Sequence, residues 1–179
     1  LFSNFDLNVS KGDKVAFLAK NHLAVTSLFQ ILAGEIEPDG GSFHYGTTIT
    51  HSYLPNENSE YFKDKLSLID WLRQYAQTEE EQDEVYLRGF LGKMLFSGEE
   101  ALKTANVLSG GEKVRCMISK MMFAKGNLLI LDEPTNHLDI ESREALVEAL
   151  TNYTGAVILV SHDMHLLSMT ADRLWLVND

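Results

Sequence analysis

Residues 108–139 read LSGGEKVRCMISKMMFAKGNLLILDEPTNHLD, and this stretch constrains the fold more than any other in the chain. Ser109 ahead of Gly110 and Gly111 is a helix start, with a serine to cap it and Glu112 in the first turn. The periodicity that follows predicts a helix over 111–123. After it comes an unbroken aliphatic run, 128–131, that stops at Asp132 and Glu133. A strand apolar at every position is buried on both faces, which is the habit of parallel sheets. A second such run, 156–160, ends just before His162 and Asp163.

The rest of the chain repeats the alternation. A short apolar run at 14–18 leads through a polar turn into helical spacing over 24–32. Pro38, Asp39, Gly40 and Gly41 mark a turn, and 42–45 and 48–54 read as strands. Residues 66–102 have mostly helical periodicity, with Leu68, Ile69, Leu72 and Tyr75 on one face and Val85, Leu87, Leu91 and Leu95 on another. A small helical subdomain is expected at about 60–105. Helix 140–150, strand 156–160, helix 164–169 and strand 173–177 close the pattern. The expected fold is α/β, a mostly parallel sheet with flanking helices, one helical subdomain and an antiparallel N-terminal β part. The alternating stretch 1–9 begins with Leu rather than Met, so the chain reads as a piece of a longer protein.

Its 179 residues suit one domain with a substantial core. The apolar runs are too short to cross a bilayer, and no signal peptide is evident. Twenty-six acidic against 15 basic residues leave a net charge of −11, which disfavours broad attraction to phosphate backbones. Any contact with RNA has to be a local patch. The acidic run 79–84 reads as a solvated helix start. The single cysteine, Cys116, excludes an internal disulfide and reads as a small buried hydrophobe.

Taken together, LSGGE, LLILDEPTNHLD and the later VSHD (residues 160–163) resemble the ATP-binding cassettes of the ABC superfamily. The EPTNHLD form resembles the ABC-F branch, which lacks transmembrane domains and acts mainly on ribosomes. The resemblance implies a cytoplasmic P-loop ATPase with ATP and Mg2+ as ligands and a second cassette as partner. Ribosome or RNA is the further partner it implies. A transmembrane transporter subunit is the partner if the chain is instead a transporter's nucleotide-binding subunit, and a non-catalytic scaffold is a third reading.

One expected motif departs from its pattern. A phosphate loop, G-x-x-x-x-G-K-[ST], uses glycines to bring backbone amides to the phosphates and a lysine to meet their charge. The aligned residues 19–26 read AKNHLAVT, so Ala19, Ala24 and Val25 stand at the two glycines and the lysine. Asn21, Thr26 and Ser27 remain as candidate nucleotide contacts, with Thr26 also a candidate Mg2+ ligand. Losing a hydrogen bond to a charged group costs roughly 1.5 to 3 kcal/mol, about a ten- to hundredfold loss of affinity. Alanine adds a penalty wherever the loop needs positive φ. The expectation is weak or altered binding at this site, with Lys20 or His22 replacing part of the lost charge at best.

The remaining roles follow from the resemblance. Asp132 would organise Mg2+ and Glu133 would orient or deprotonate the attacking water, with His162 as the switch histidine at the γ-phosphate. Ser109, Gly110, Gly111 and Glu112 form the signature, which meets nucleotide held by a different cassette. Asp139 falls at the D-loop, which couples the two sites of a dimer. Asn56 stands where the Q-loop glutamine is expected, one methylene shorter. About fifty residues separate Asn56 from the signature, room for a helical subdomain but not for a long inserted arm.

Overall fold

The computed structural model describes residues 5–177. The chain divides into two compact units. One comprises Leu1–Pro55, Gly126–Pro134 and Tyr153–Asp179, the other Asn56–Lys125 and Thr135–Asn152.

The first unit is built on five strands, β1 Lys14–Ala19, β2 His51–Leu54, β3 Leu128–Asp132, β4 Ala156–Val160 and β5 Arg173–Val177. They lie in the order β2-β3-β4-β1-β5, and every pair is parallel. Every residue of β3 and β4 is buried, as unbroken aliphatic runs require. Helix α1, His22–Ala33, packs on β1, β2 and β3. It ends at Gly34, whose φ of 79° permits the left-handed cap that returns its N–H to Gln30 and Ile31 carbonyls. Helix α6, Met164–Thr170, is capped by the Asp163 carboxylate, which accepts Leu166 N–H at 3.0 Å. Val15, Phe17, Val25, Phe29, Ile130 and Ile158 form the centre of the core.

No antiparallel N-terminal β part occurs among the described residues, which corrects the expectation from the sequence. Residues 1–4 of the anticipated first strand lie outside them. Over 5–10 burial does alternate, and Phe5, Leu7 and Val9 pack on the core, but no ladder forms. A strand needs a neighbour for its backbone groups, and alternation alone does not supply one. Residues 42–45 are likewise not a strand; Tyr45 fixes them by donating its hydroxyl to the Leu32 carbonyl and stacking on His51. Strand β2 starts only at His51 because the Asn127 amide serves the residues before it, accepting from Thr50 N–H at 2.9 Å and donating to Thr48 O at 2.8 Å.

The second unit is helical. Helix α2, Leu68–Arg73, is capped by Ser67, and α3, Glu84–Lys93, by Asp83. Helix α4, Gly110–Phe123, and α5, Ile140–Asn152, complete it. The acidic run 79–84 sits at the start of α3, where negative charge is favourable beside the positive end of the helix dipole. Leu68, Trp71, Leu72, Leu87, Leu91, Met94, Met117 and Phe123 are fully or nearly fully buried. Trp71 stacks on Phe62 at 4.8 Å and donates Nε1–H to the Tyr61 carbonyl at 2.7 Å, so its one polar group is paired. Val85 does not join the apolar face expected of it and is 77% exposed. Cys116 is fully buried, and burial pushes its thiol well above the ordinary range, which makes it inert as a nucleophile.

Candidate functional site

Parallel strands point all their carboxyl ends to one edge of the sheet, and here that edge carries the chemistry. β1 and β3 flank β4, so the residues following these three strands are neighbours in space although more than a hundred positions separate the first from the others. Asp132 ends β3 and is 1% exposed. Thr26, on α1, donates its hydroxyl to Asp132 Oδ2 at 2.8 Å. Burial raises the Asp132 carboxyl above its ordinary value, and the Thr26 hydrogen bond opposes that rise.

Glu133 follows with φ of 50°, a left-handed backbone that a non-glycine residue adopts at a cost. Its N–H is held by the Val160 carbonyl at 2.9 Å. The side chain is 8% exposed and lies against two imidazoles, with His22 Nδ1 3.3 Å and His162 Nε2 3.7 Å from Oε1. Burial raises the Glu133 carboxyl, and the two histidines counter it in part. His22 and His162 also meet directly, Nε2 to Nε2.

The stretch aligned with a phosphate loop is not an open loop. Helix α1 begins at His22, two residues earlier than the periodicity predicts, so residues 22–26 are already helical. Asn21 is the N-cap, and its Oδ1 accepts Leu23 N–H at 3.0 Å, taking one of the amides a phosphate would use. Val25 is fully buried beside Phe29 in the core, not turned toward the strand edge. None of residues 19–24 has positive φ, so the alanines carry no left-handed strain; the expected penalty is avoided by a different path of the chain. Lys20 is exposed and Ser27 half-buried. The oxygen pair of Thr26 and Asp132 suits a hard divalent cation such as Mg2+. The wound loop, without a lysine, does not fit a tightly held triphosphate.

The signature residues form a second group, in the helical unit. Ser109 and Glu112 make a reciprocal capping box: Ser109 Oγ accepts Glu112 N–H at 3.3 Å and Glu112 Oε2 accepts Ser109 N–H at 2.8 Å. Lys103 donates to Glu112 Oε1 at 2.8 Å. Burial pushes the Glu112 carboxyl up, but the Lys103 and Ser109 hydrogen bonds outweigh it and hold the carboxyl below its ordinary value. The Ser109 hydroxyl keeps its own proton to donate, next to Gly110 and Gly111 at the positive end of a 14-residue helix. A Cβ on Gly111 would lie 2.5 Å from the His137 carbonyl oxygen. His137 itself has φ of 65°, so the NHLD string is bent tightly against the signature. Gly111→Ala is therefore expected to destabilise the protein by about 1 to 3 kcal/mol, read as a lower denaturation midpoint; an unchanged midpoint would mean the two segments part freely.

Asp139 accepts Ser142 N–H at 2.8 Å, and hydrogen bonds from the Ser142 side chain and backbone hold its carboxyl low at the start of α5. Asn56 accepts a hydrogen bond from Asn136 Nδ2 at 3.3 Å. Thr26, Asp132, Glu133 and His162 are thus gathered in the sheet unit, joined by His22. Ser109, Gly110, Gly111, Glu112, Asn56 and Asp139 belong to the helical unit. The sequence offered His22 only as a substitute for lost charge. Its contact with Glu133 comes from strand order, which no local motif encodes.

Comparison with known proteins identifies the family and the fold. The family described as "ABC transporter" matches residues 2–136. The Bacillus subtilis (strain 168) protein called "Uncharacterized ABC transporter ATP-binding protein YkpA" is 53% identical over 97% of this chain and 32% of its own length. "Probable ATP-binding protein YheS" of Escherichia coli (strain K12) is 38% identical over 100% of this chain and 28% of its own length. The chain spans about a third of the length of these curated relatives. Among solved structures, the dimeric post-hydrolysis state of the ATP-binding cassette MJ0796 bound to ADP and Pi superposes with a TM-score of 0.81 at 16% identity, over 96% of this chain and 84% of that one. The complex of archaeal ribosomal stalk protein aP1 with the ribosome recycling factor aABCE1 gives 0.78 at 24%, over 96% and 33%. At such identities the likeness is one of fold.

Proposed function

The chain belongs to the ABC transporter ATP-binding family, with relatives of the ABC-F type, and on that premise we propose that it is one cassette of a two-cassette ATPase. Its residues 109–112 act in trans on nucleotide held by the other cassette, and its own phosphate loop holds nucleotide poorly. The observation that carries this reading is the contrast between two helix starts. The start of α4 carries two glycines and a serine hydroxyl at its positive end, an anion-binding arrangement. The start of α1 is wound shut and capped by its own asparagine.

In this reading the chain is a single nucleotide-binding domain whose helical subdomain carries the signature. Thr26 and Asp132 are the residues of this chain's own site that would hold Mg2+. Asp139 and Asn56 would face the cassette interface. Cytoplasmic action on ribosomes is the role we favour, because the EPTNHLD form resembles the ABC-F branch and relatives of that type match nearly the full chain.

Turnover by the intact protein tests the trans role. Ser109→Glu puts a carboxylate where the reading places phosphate. Steady-state ATP hydrolysis should fall at least about tenfold, in line with the loss of an anion-stabilising donor. Turnover that stays at the unaltered level in a folded variant would remove the signature from the reaction.

A further inference from the structure

Glu133 presents a problem that its place in the fold does not solve. Its side chain is 8% exposed, and Oε1 is buried with no hydrogen-bond partner. A buried carboxylate oxygen left unpaired costs free energy and is rare in folded proteins. Two imidazole nitrogens lie 3.3 and 3.7 Å from Oε1, and neither makes a hydrogen bond to it. The two imidazoles are in turn crowded against each other, nitrogen to nitrogen. Two imidazoles and a carboxylate oxygen converge on one point, and the oxygen is left without a hydrogen-bond partner.

A cation between them satisfies all three. We propose that His22, His162 and Glu133 form a three-ligand site for a divalent transition-metal ion of the zinc class. One ligand atom from each side chain lies within 4.8 Å of the other two. Zinc bonds of about 2.0 to 2.2 Å to imidazole and carboxylate imply edges of about 3.3 to 3.6 Å in a tetrahedron, and the two distances to Oε1 bracket that value. Two imidazoles and one carboxylate with a position left for water is an established ligand set for zinc. Imidazole donors also select against Mg2+, which takes hard oxygen ligands. The site is thus distinct in chemistry from the Thr26–Asp132 oxygen pair beside it.

The topology makes such a site a clamp. His22 opens α1, Glu133 follows β3 and His162 follows β4, so one ion ties the first turn of the helix to two strand ends. This also gives Glu133 and His162 a ligand in a chain that has no phosphate-loop lysine. The inference does not depend on the trans role of the signature, which lies in other residues and is read by turnover.

The test is titration of the full, chelator-stripped chain with Zn2+ against a chromophoric competitor, with Co2+ absorption reporting the ligand set. One ion per chain is expected, with Co2+ spectra of four-coordinate nitrogen and oxygen ligation and no displacement by a large excess of Mg2+. His22→Ala, His162→Ala and Glu133→Gln should each weaken Zn2+ binding by at least about tenfold, the lower bound for losing even a residue that merely supports a ligand. The imidazoles are 32% and 67% exposed, so the histidine variants should keep the unaltered circular dichroism spectrum. His44→Ala, remote in sequence from all three ligands, controls for adventitious binding. No Zn2+ binding, or binding untouched by His22→Ala, would overturn the proposal and leave the cluster as histidines sharing a proton.

Discussion

Val25→Lys, the single change that restores the most diagnostic residue of a phosphate loop, is expected to destabilise this protein and not to recover nucleotide binding. In an open loop the lysine at this place turns toward phosphate. Here residue 25 is in the first full turn of α1, fully buried among Phe17, Phe29 and Ile158. A lysine placed there buries an ammonium with no partner, at about 3 kcal/mol or more. For a chain of this size that is a fall in melting temperature of roughly 6 to 12 °C. Thermal denaturation of the variant measures it directly. An unchanged melting temperature would mean that residue 25 is free to turn outward and that the loop is not wound as described.

The combined variant Ala19→Gly, His22→Gly, Ala24→Gly and Val25→Lys is expected to behave differently. Glycine in a helix interior costs about 0.5 to 1 kcal/mol relative to alanine, so the changes at 22 and 24 favour unwinding the turn that now occupies the loop. Unwinding exposes the amides of residues 22–26 and lets the lysine leave the core. The gain should be a charged hydrogen bond together with several amide contacts, about a ten- to hundredfold rise in MgATP affinity over the unaltered chain. The same variant lacks His22, so it should lose Zn2+ as it gains nucleotide. A variant that folds and gains no MgATP affinity would place the defect elsewhere than in the loop.

How far these conclusions were legible in the sequence depends on whether the signal was local. Strands β3 and β4 were, because unbroken aliphatic runs have no good alternative to a doubly covered parallel sheet. The start of α4 was, because Ser109 and Glu112 stand at capping-box spacing. The start of α1 was readable in principle. Asn21 is a favoured N-cap, and Leu23 and Ala24 are strong helix formers. Aligning residues 19–26 with a loop pattern concealed that reading, since the pattern presumes glycines that this chain does not have. The strand expected at 42–45 failed for a different reason: alternation does not reveal whether a partner strand lies alongside. The His22, Glu133 and His162 cluster was legible only through the resemblance, which puts all three at one nucleotide site; no local signal shows it, since the order β3-β4-β1 is what brings positions 22, 133 and 162 together.

The asymmetry of the two helix starts is the centre of this account, and a calorimetric titration of the unaltered chain with MgATP tests it most directly. A wound, self-capped loop without a lysine predicts heats too weak to fit until nucleotide is in large excess, and a clear signal once the four loop residues are changed. Tight, saturable binding by the unaltered chain would show that other groups cradle the phosphates, and would contradict the assignment of residues 109–112 as the working part of this cassette.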